Sequence, residues 1–338
     1  MEKGYDILLE KPIATRLDEV LRLEKTAARL GRKVLVCHVL RYSPFYRTVK
    51  EVVDSGVLGD IVAMNASEGV GTWHQAHSYV RGHWSVVERA SPMIIAKSCH
   101  DMDIMAWLIG RPCVSVASYG ALTYFTERNA PPGAPSRCTD GCPVAMSCIY
   151  NATLYATRHR RWLPYVYDDE KGASQEQIRQ WLAQSPWGRC VYRCDNTAVD
   201  HQVVALTFEG DATATFTMTA FADGRNIEIY GTRGKLRGGS SVKGHAGADI
   251  VVTRHGGGNT ERINVSTAVG GYAGHGGGDP GLVTALYEEM MRDRPEDMHS
   301  SLSKSVQSHV MGFAAEEARL TGTTVALEQF YHEHSKRT

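Results

Sequence analysis

The 338-residue chain has no apolar run near the roughly 18–20 residues that a membrane-spanning helix needs. Its N-terminus carries no apolar h-region of the signal-peptide kind, so a cytoplasmic address is the default expectation. Neither charge is in excess, since Lys+Arg and Asp+Glu are 37 each, and no long basic run is present. Such a chain sets up no long-range field toward nucleic acid or an anionic membrane. No internal repeat is visible. Above all, no GxGxxG follows a strand. Gly69-Val70-Gly71 lacks both the third glycine and the helix, and the glycines at 274–278 have no strand before them. The fingerprint that seats a pyrophosphate on a helix N-terminus is therefore absent.

What is there is the composition of a packed globule, 43% hydrophobic and 22% charged, long enough for two domains of about 100–200 residues. "YDILLE" reads as a buried strand, 15–30 as an amphipathic helix stopped by Gly31, and "KVLVCHVL" as a second buried strand. Strand–helix–strand at this spacing is a βαβ unit, and two all-apolar strands imply a parallel sheet that needs neighbours over its edges and faces. Ser43 as N-cap and Pro44 at the first helical position open a further helix that ends before Gly56. The pattern then changes. A strand "GDIVAMNASEG" leads on to alternating segments over 202–239, broken by Glu-Gly-Asp, Ala-Asp-Gly and Tyr-Gly-Thr-Arg-Gly, which predict an antiparallel meander. One more hairpin follows at 249–266, then a loop at 270–278. Two closing helices are expected, one capped by Asp279 with Pro280 at its first position, the other over 302–320. The fold class is thus a fragment of a parallel α/β layer (1–42), then an α+β domain (43–338) on an open, mostly antiparallel sheet flanked by helices.

Five groupings carry chemistry. Glu10-Lys11-Pro12 ends the first strand, at the sheet edge where ligands bind in open α/β folds, and Lys11 is placed to polarise a hydroxyl. His38 and Arg41 lie on the same edge after the second strand, Arg41 suited to a substrate oxygen. In "AKSCHDMDIMAWLIG", His100 falls in the first turn of a helix, where the dipole favours the neutral imidazole, with Lys97 just before it and Asp103 one turn on. Histidine and lysine together can take a hydroxyl proton and stabilise an oxyanion. "GTWHQAHSYVRGHW" offers His77, Tyr79 and Arg81, a mix of rings and hydrogen-bonding groups that suits a sugar more than a metal. Finally, Cys138, Cys142, Cys148 and Cys190, with Cys194 near the last, have spacings that can close a tetrahedral thiolate site. A structural zinc there would hold together an insertion at about 130–195 that has few core residues of its own. Cys37, Cys99 and Cys113 sit in apolar settings and read as buried small hydrophobes.

Taken in order, "LLEKPIA", "HVLRYSPFY", "DSGVLGDIVAMNASE", "HSYVRGHW", "KSCHDMDIMAWLIG" and "TRGKLRGG" resemble the Gfo/Idh/MocA oxidoreductases over nearly the whole chain. The resemblance implies a Rossmann domain of which 1–42 is the C-terminal remnant, the first half-domain being lost or unrecorded. It implies an NAD or NADP cofactor approached by Glu10, Lys11, Pro12, His38 and Arg41. It implies a carbohydrate or cyclic polyol substrate, met by Arg41, His77, Tyr79, Arg81, Asp103 and His201. Lys11 matches the motif lysine beside nicotinamide and substrate, and His100 the acid/base histidine. Many members have Asp four residues before that histidine; here the position is Ala96, followed by Lys97, as in a branch with Lys-x-Cys-His. A homo-oligomer through the sheet face is expected. The leading expectation is a sugar or polyol dehydrogenase. The rivals are an NAD-dependent glycoside-cleaving enzyme of the same fold and a non-catalytic sugar-binding or dimerising remnant.

Overall fold

The structure, a computed structural model, describes residues 1–168, 172–265 and 274–336. Strands β1 (Ile7–Leu9) and β2 (Val34–Val36) pair in parallel, joined by helix α1 (Leu17–Leu30). Gly31 ends α1 in the left-handed conformation, its N–H reaching back to the Ala27 and Ala28 carbonyls. Helix α2 (Pro44–Asp54) follows, with the Ser43 side chain accepting the Tyr46 N–H as predicted.

The two-stranded fragment finds its neighbours within the chain. On the free side of β2, the Val36 N–H donates to the Ser300 carbonyl at 2.9 Å, and the Ser300 hydroxyl donates to the Val36 carbonyl at 2.8 Å. Leu17, Val20 and Leu21 join one continuous core with Val306, Val310 and Met311, which lie on a buried helix near the C-terminus. So the βαβ unit is covered by the second half of the chain.

Nine strands form the main sheet: β3 (Ile61–Val70), β4 (Cys113–Ala121), β5 (His201–Phe208), β6 (Thr213–Thr219), β7 (Asp223–Gly231), β8 (Gly234–Gly239), β9 (Ile250–Arg254), β10 (Thr260–Ile263) and β11 (Val325–Ala326). Their spatial order is β10-β9-β8-β7-β3-β6-β5-β4-β11. This corrects the simple meander. The hairpins are present, but β3 lies between β6 and β7, parallel to the former and antiparallel to the latter. Alternation reports which face a residue takes, not which strand lies beside it. Gly69 makes the insertion of β3 feasible, since a Cβ there would stand 2.4 Å from the Ala222 backbone.

The remaining helices of nine residues or more are α3 (Cys99–Ile109), α4 (Gln175–Gln184), α5 (Gly278–Met291), α6 (Leu302–Thr321) and α7 (Leu327–Ser335). A third closing helix, α7, was not expected. Nor is Asp279 the cap of α5: Gly277 holds that place, and the Asp279 carboxylate accepts from His275 Nδ1 at 2.9 Å. Of the glycine loop expected at 270–278, residues 270–273 lie outside the described residues. The insertion is better filled than its sequence suggested. Trp73, Ala152, Tyr155, Leu163, Ile178, Leu182 and Trp187 form a core there, and α4 opens with a Ser174/Gln177 capping box.

Helix α5 lies against the turn Val39–Tyr42 through its glycines. A Cβ on Gly281 would stand 2.4 Å from the Tyr42 carbonyl oxygen, and one on Gly278 2.4 Å from that of Val39. Gly281→Ala is therefore expected to lower stability by about 1–3 kcal/mol, the usual cost of overpacking, read as a fall in the urea midpoint. An unchanged midpoint would show that α5 can lift away freely.

Candidate functional site

Lys11 follows β1, and its Nζ donates to the Ala96 carbonyl at 3.1 Å. This single contact brings the amine beside Lys97 and the first turn of α3, which carries His100. Lys11 Nζ is thus bonded at the residue before Lys97, and its charge acts on His100. His100 is 2% exposed, and neither ring nitrogen has a hydrogen-bond partner among the described residues. Burial, and then the charges of Lys11, His38, Arg225 and His275, hold its pKa well below the ordinary value. A neutral imidazole with unclaimed nitrogens is what a proton acceptor requires.

Lys97 is not free. Its Nζ lies 3.2 Å from Glu68 Oε1, while Arg225 Nε lies 2.9 Å from Glu68 Oε2 and 2.7 Å from Asp101 Oδ1. Glu68 and Arg225 face each other across β3 and β7. Burial lowers the Lys97 pKa and raises that of Glu68. The network ties the start of α3 to the sheet. Neither Glu68 nor Arg225 was singled out from the sequence, although a charge on a core-facing position of each strand was a signal. His74 was missed too. Burial, then the charges of Lys97, His77 and Lys11, bring its pKa to about 3.

Arg41 and Asp103 meet each other. Arg41 Nε and Nη2 donate to the two Asp103 oxygens, each at 2.7 Å, and the side chains are 4% and 1% exposed. The guanidinium fork is spent on fixing α3 to the turn after β2. His38 lies 3.7 Å from the same carboxylate and is fully buried. Glu10 is exposed at the mouth of this edge, its carboxylate accepting the Lys11 N–H at 3.3 Å, and Pro12 is partly covered.

The loop after β3 is drawn into the insertion. His77 Nδ1 bonds the Tyr155 hydroxyl at 2.5 Å, with its ring 4.9 Å from Trp162. Arg81, 1% exposed, donates to the Arg189 and Tyr150 carbonyls at 2.7 and 2.6 Å and to Cys138 Sγ at 3.7 Å. It pins the insertion. Tyr79 is buried near His74, their rings 5.9 Å apart. His201, at the start of β5, is held by Asp200 at 2.8 Å.

Cys138, Cys142, Cys148 and Cys190 do line one small pocket, together with apolar Ala134, Val144, Ala145 and Val191. Yet among the described residues no three His, Cys, Asp or Glu side chains are arranged to hold a metal ion, so the zinc expectation gains no support. Burial among apolar groups raises the pKa of Cys148, Cys190 and Cys194 and keeps these three as thiols. Cys37, Cys99 and Cys113 are buried as expected.

For a nicotinamide cofactor, the residues that fit are at one end only. Lys11 and the unclaimed nitrogens of His100 suit the reacting ring, whereas the pyrophosphate-cradling turn is absent from the sequence. No helix among the described residues is long and apolar enough to cross a membrane.

The chain is similar to known proteins over most of its length. It is 27% identical over 297 residues to YteT of Bacillus subtilis (strain 168), named as an oxidoreductase, covering 85% of this chain and 67% of that protein. Inositol 2-dehydrogenase 3 of Saccharopolyspora erythraea is 33% identical over 118 residues, which is 34% of this chain and 31% of that one. The chain therefore spans about two thirds of the first of these relatives and under a third of the second. In fold, it resembles an oxidoreductase from Agrobacterium radiobacter solved with NAD+, L-tartaric acid and magnesium, with a TM-score of 0.61 at 14% identity, covering 97% of this chain and 75% of that one. Residues 50–327 match the model of the oxidoreductase family C-terminal alpha/beta domain. With that match over most of its length, the chain belongs to the Gfo/Idh/MocA family of oxidoreductases.

Proposed function

We propose that this chain acts in NAD(P)-dependent oxidation of a sugar or cyclic polyol, with His100 as the proton acceptor and Lys11 as the group that polarises the reacting hydroxyl. The observation that carries the reading is the Lys11–Ala96 contact. It sets an ammonium beside a buried imidazole whose nitrogens are unclaimed. The nicotinamide, when bound, supplies the hydride acceptor. The chain's own residues do the rest. Lys11 stabilises negative charge on the substrate oxygen, and His100 removes its proton as the carbonyl forms. The Lys97–Glu68–Arg225–Asp101 network, two cations against two carboxylates, holds the first turn of α3 in place. Inositol 2-dehydrogenases among the relatives support the substrate class.

The test is turnover of a polyol and sugar panel with NAD+ and NADP+, followed by nicotinamide absorbance. His100→Ala is expected to lower kcat by about 10²–10⁴-fold, the usual share of general acid–base catalysis. Equal turnover in the variant would remove His100 from the role.

The outer sheet face supports a homo-oligomer. Tyr119 and Val203 stand opposite each other on β4 and β5, 71% and 42% exposed, with Val114 at 48%. Tyr119→Arg is expected to shift the mass measured by light scattering toward the monomer. An unaltered mass would place the contact elsewhere.

A further inference from the structure

Four imidazoles from separate parts of the chain stand in a row. Ring centroids are 5.4 Å apart for His275 and His100, 5.8 Å for His100 and His38, and 5.7 Å for His38 and His309. The inner three are at most 2% exposed. The ring nitrogens of His100 and His38 have no hydrogen-bond partner among the described residues.

The two ends of the row differ. At the inner end, His309 Nε2 accepts the Ile13 N–H at 3.0 Å, so Nδ1 carries the hydrogen and donates to the Ser305 carbonyl at 3.0 Å. Both nitrogens are engaged with backbone, and no lone pair is left to receive a proton. At the outer end, His275 donates from Nδ1 to the Asp279 carboxylate, at 2.9 and 3.0 Å to its two oxygens. That leaves Nε2 with the lone pair, free of the Asp279 carboxylate. The His275 side chain is 39% exposed. A proton released within the row therefore has one way out.

The position of His275 is also built rather than incidental. It adopts φ 49°, a left-handed conformation that non-glycine residues seldom take. Gly278 and Gly281, just after it, lie directly on the turn Val39–Tyr42.

We propose that His275 and Asp279 form the outer end of a proton relay that carries to solvent the proton His100 takes from its substrate. The inference rests on the assignment of His100 as proton acceptor. The step is a transfer only: His100 imidazolium gives its proton to neutral His275, directly or through one water, and His275 imidazolium gives it to bulk water. The positive charges of Lys11 and Arg225 act on His100 and drive the proton outward, while the Asp279 carboxylate lies against His275. His275 is in this sense a positioning and relay residue.

The test uses the chain labelled with 15N-histidine, free of substrate. In His275→Asn, chosen because Asn tolerates the left-handed backbone, exchange of the His100 ring N–H with water is expected to slow at least tenfold. Asp279→Asn should give a smaller slowing, and the His309 ring N–H, held by Ser305, should not change. Unaltered exchange at His100 would overturn the relay. In the turnover assay, His275→Asn should lower kcat about 10–100-fold with KM unchanged, and free imidazole in the buffer should restore part of the loss. If His100→Ala abolishes turnover while His275→Asn changes neither exchange nor kcat, the relay falls and the catalytic assignment stands. If exchange slows but no substrate turns over, the proton path from His100 through His275 stands, while the oxidoreductase reading and the substrate as source of the proton fall.

Discussion

Taking the protein from pH 7 to pH 5 is expected to remove on the order of 8 kcal/mol of folding free energy, enough to unfold an ordinary domain. Burial, the largest cause in each case, lowers the pKa of His38 and His74 to about 3 and of His77 and His309 to about 4. An unfolded chain returns each to about 6.5. A histidine whose folded value is depressed stays neutral in the native state while the unfolded state takes up protons. Stability is therefore full above pH 6.5 and is lost as pH falls toward the folded value. At pH 5 each group lies about 1.5 pH units below its unfolded value, which at about 1.4 kcal/mol per unit is about 2 kcal/mol. His100 adds to the sum in the same direction. Glu68 runs the other way, because burial raises its pKa and protonation relieves the buried charge. One such group does not offset four histidines. Urea melts at half-unit steps of pH should show the midpoint falling steeply between pH 6.5 and 5. A midpoint constant over that interval would mean that these histidines are charged in the folded protein.

The same histidines show what the sequence could and could not reveal. His100 was legible because it sits in a helix N-terminal turn behind a lysine, and Lys11 because a proline ends its strand. Both signals are local. The row joins His100 to His38, His309 and His275, and the Ile13–His309 bond beside it links residues 296 apart; nothing in local spacing announces either. His309 in particular lies in α6 among Val306, Val310 and Met311, where it reads as one more core position. Only the pairing of its Nε2 with the Ile13 N–H shows that it holds the segment after Lys11.

Strand existence was legible for a similar reason, and strand order was not. The alternation in β5 and β6 marks a sheet with one covered face, and that much is correct. The placing of β3 between β6 and β7 depends on lateral fit at Gly69 and on the Glu68–Arg225 pair, neither of which alternation encodes. Helix α7 was missed because nine polar-rich residues are too few to nucleate a helix in water. Buried Leu327 and Phe330, packed into the main core, are what stabilise it. In the insertion, the cysteines drew attention to spacing while the aromatic residues that build its core are scattered on either side of them.

Removing Asp103 alone is expected to cost about 3–5 kcal/mol, because it leaves the Arg41 guanidinium buried without its counter-charge. Burial pushes the Asp103 carboxyl up, but Arg41 and His38 outweigh it and the net direction is down. Its contribution is therefore present above the ordinary carboxylate range and is lost only as pH falls through the lowered value, well below the histidine transition. Asp103→Asn and Arg41→Met should each lower the urea midpoint at pH 7 strongly, whereas the double variant Arg41→Met/Asp103→Leu should recover much of the loss, since an apolar pair of similar volume can replace a buried ion pair. The series also decides between two roles for Arg41. A substrate-gripping arginine would raise KM in Arg41→Met and leave stability alone, and the double variant would recover nothing. An arginine that fixes α3 against the turn after β2 would lose stability in the single variant, regain it in the double, and lose activity only as far as the first turn of α3, with His100 on it, moves away from Lys11.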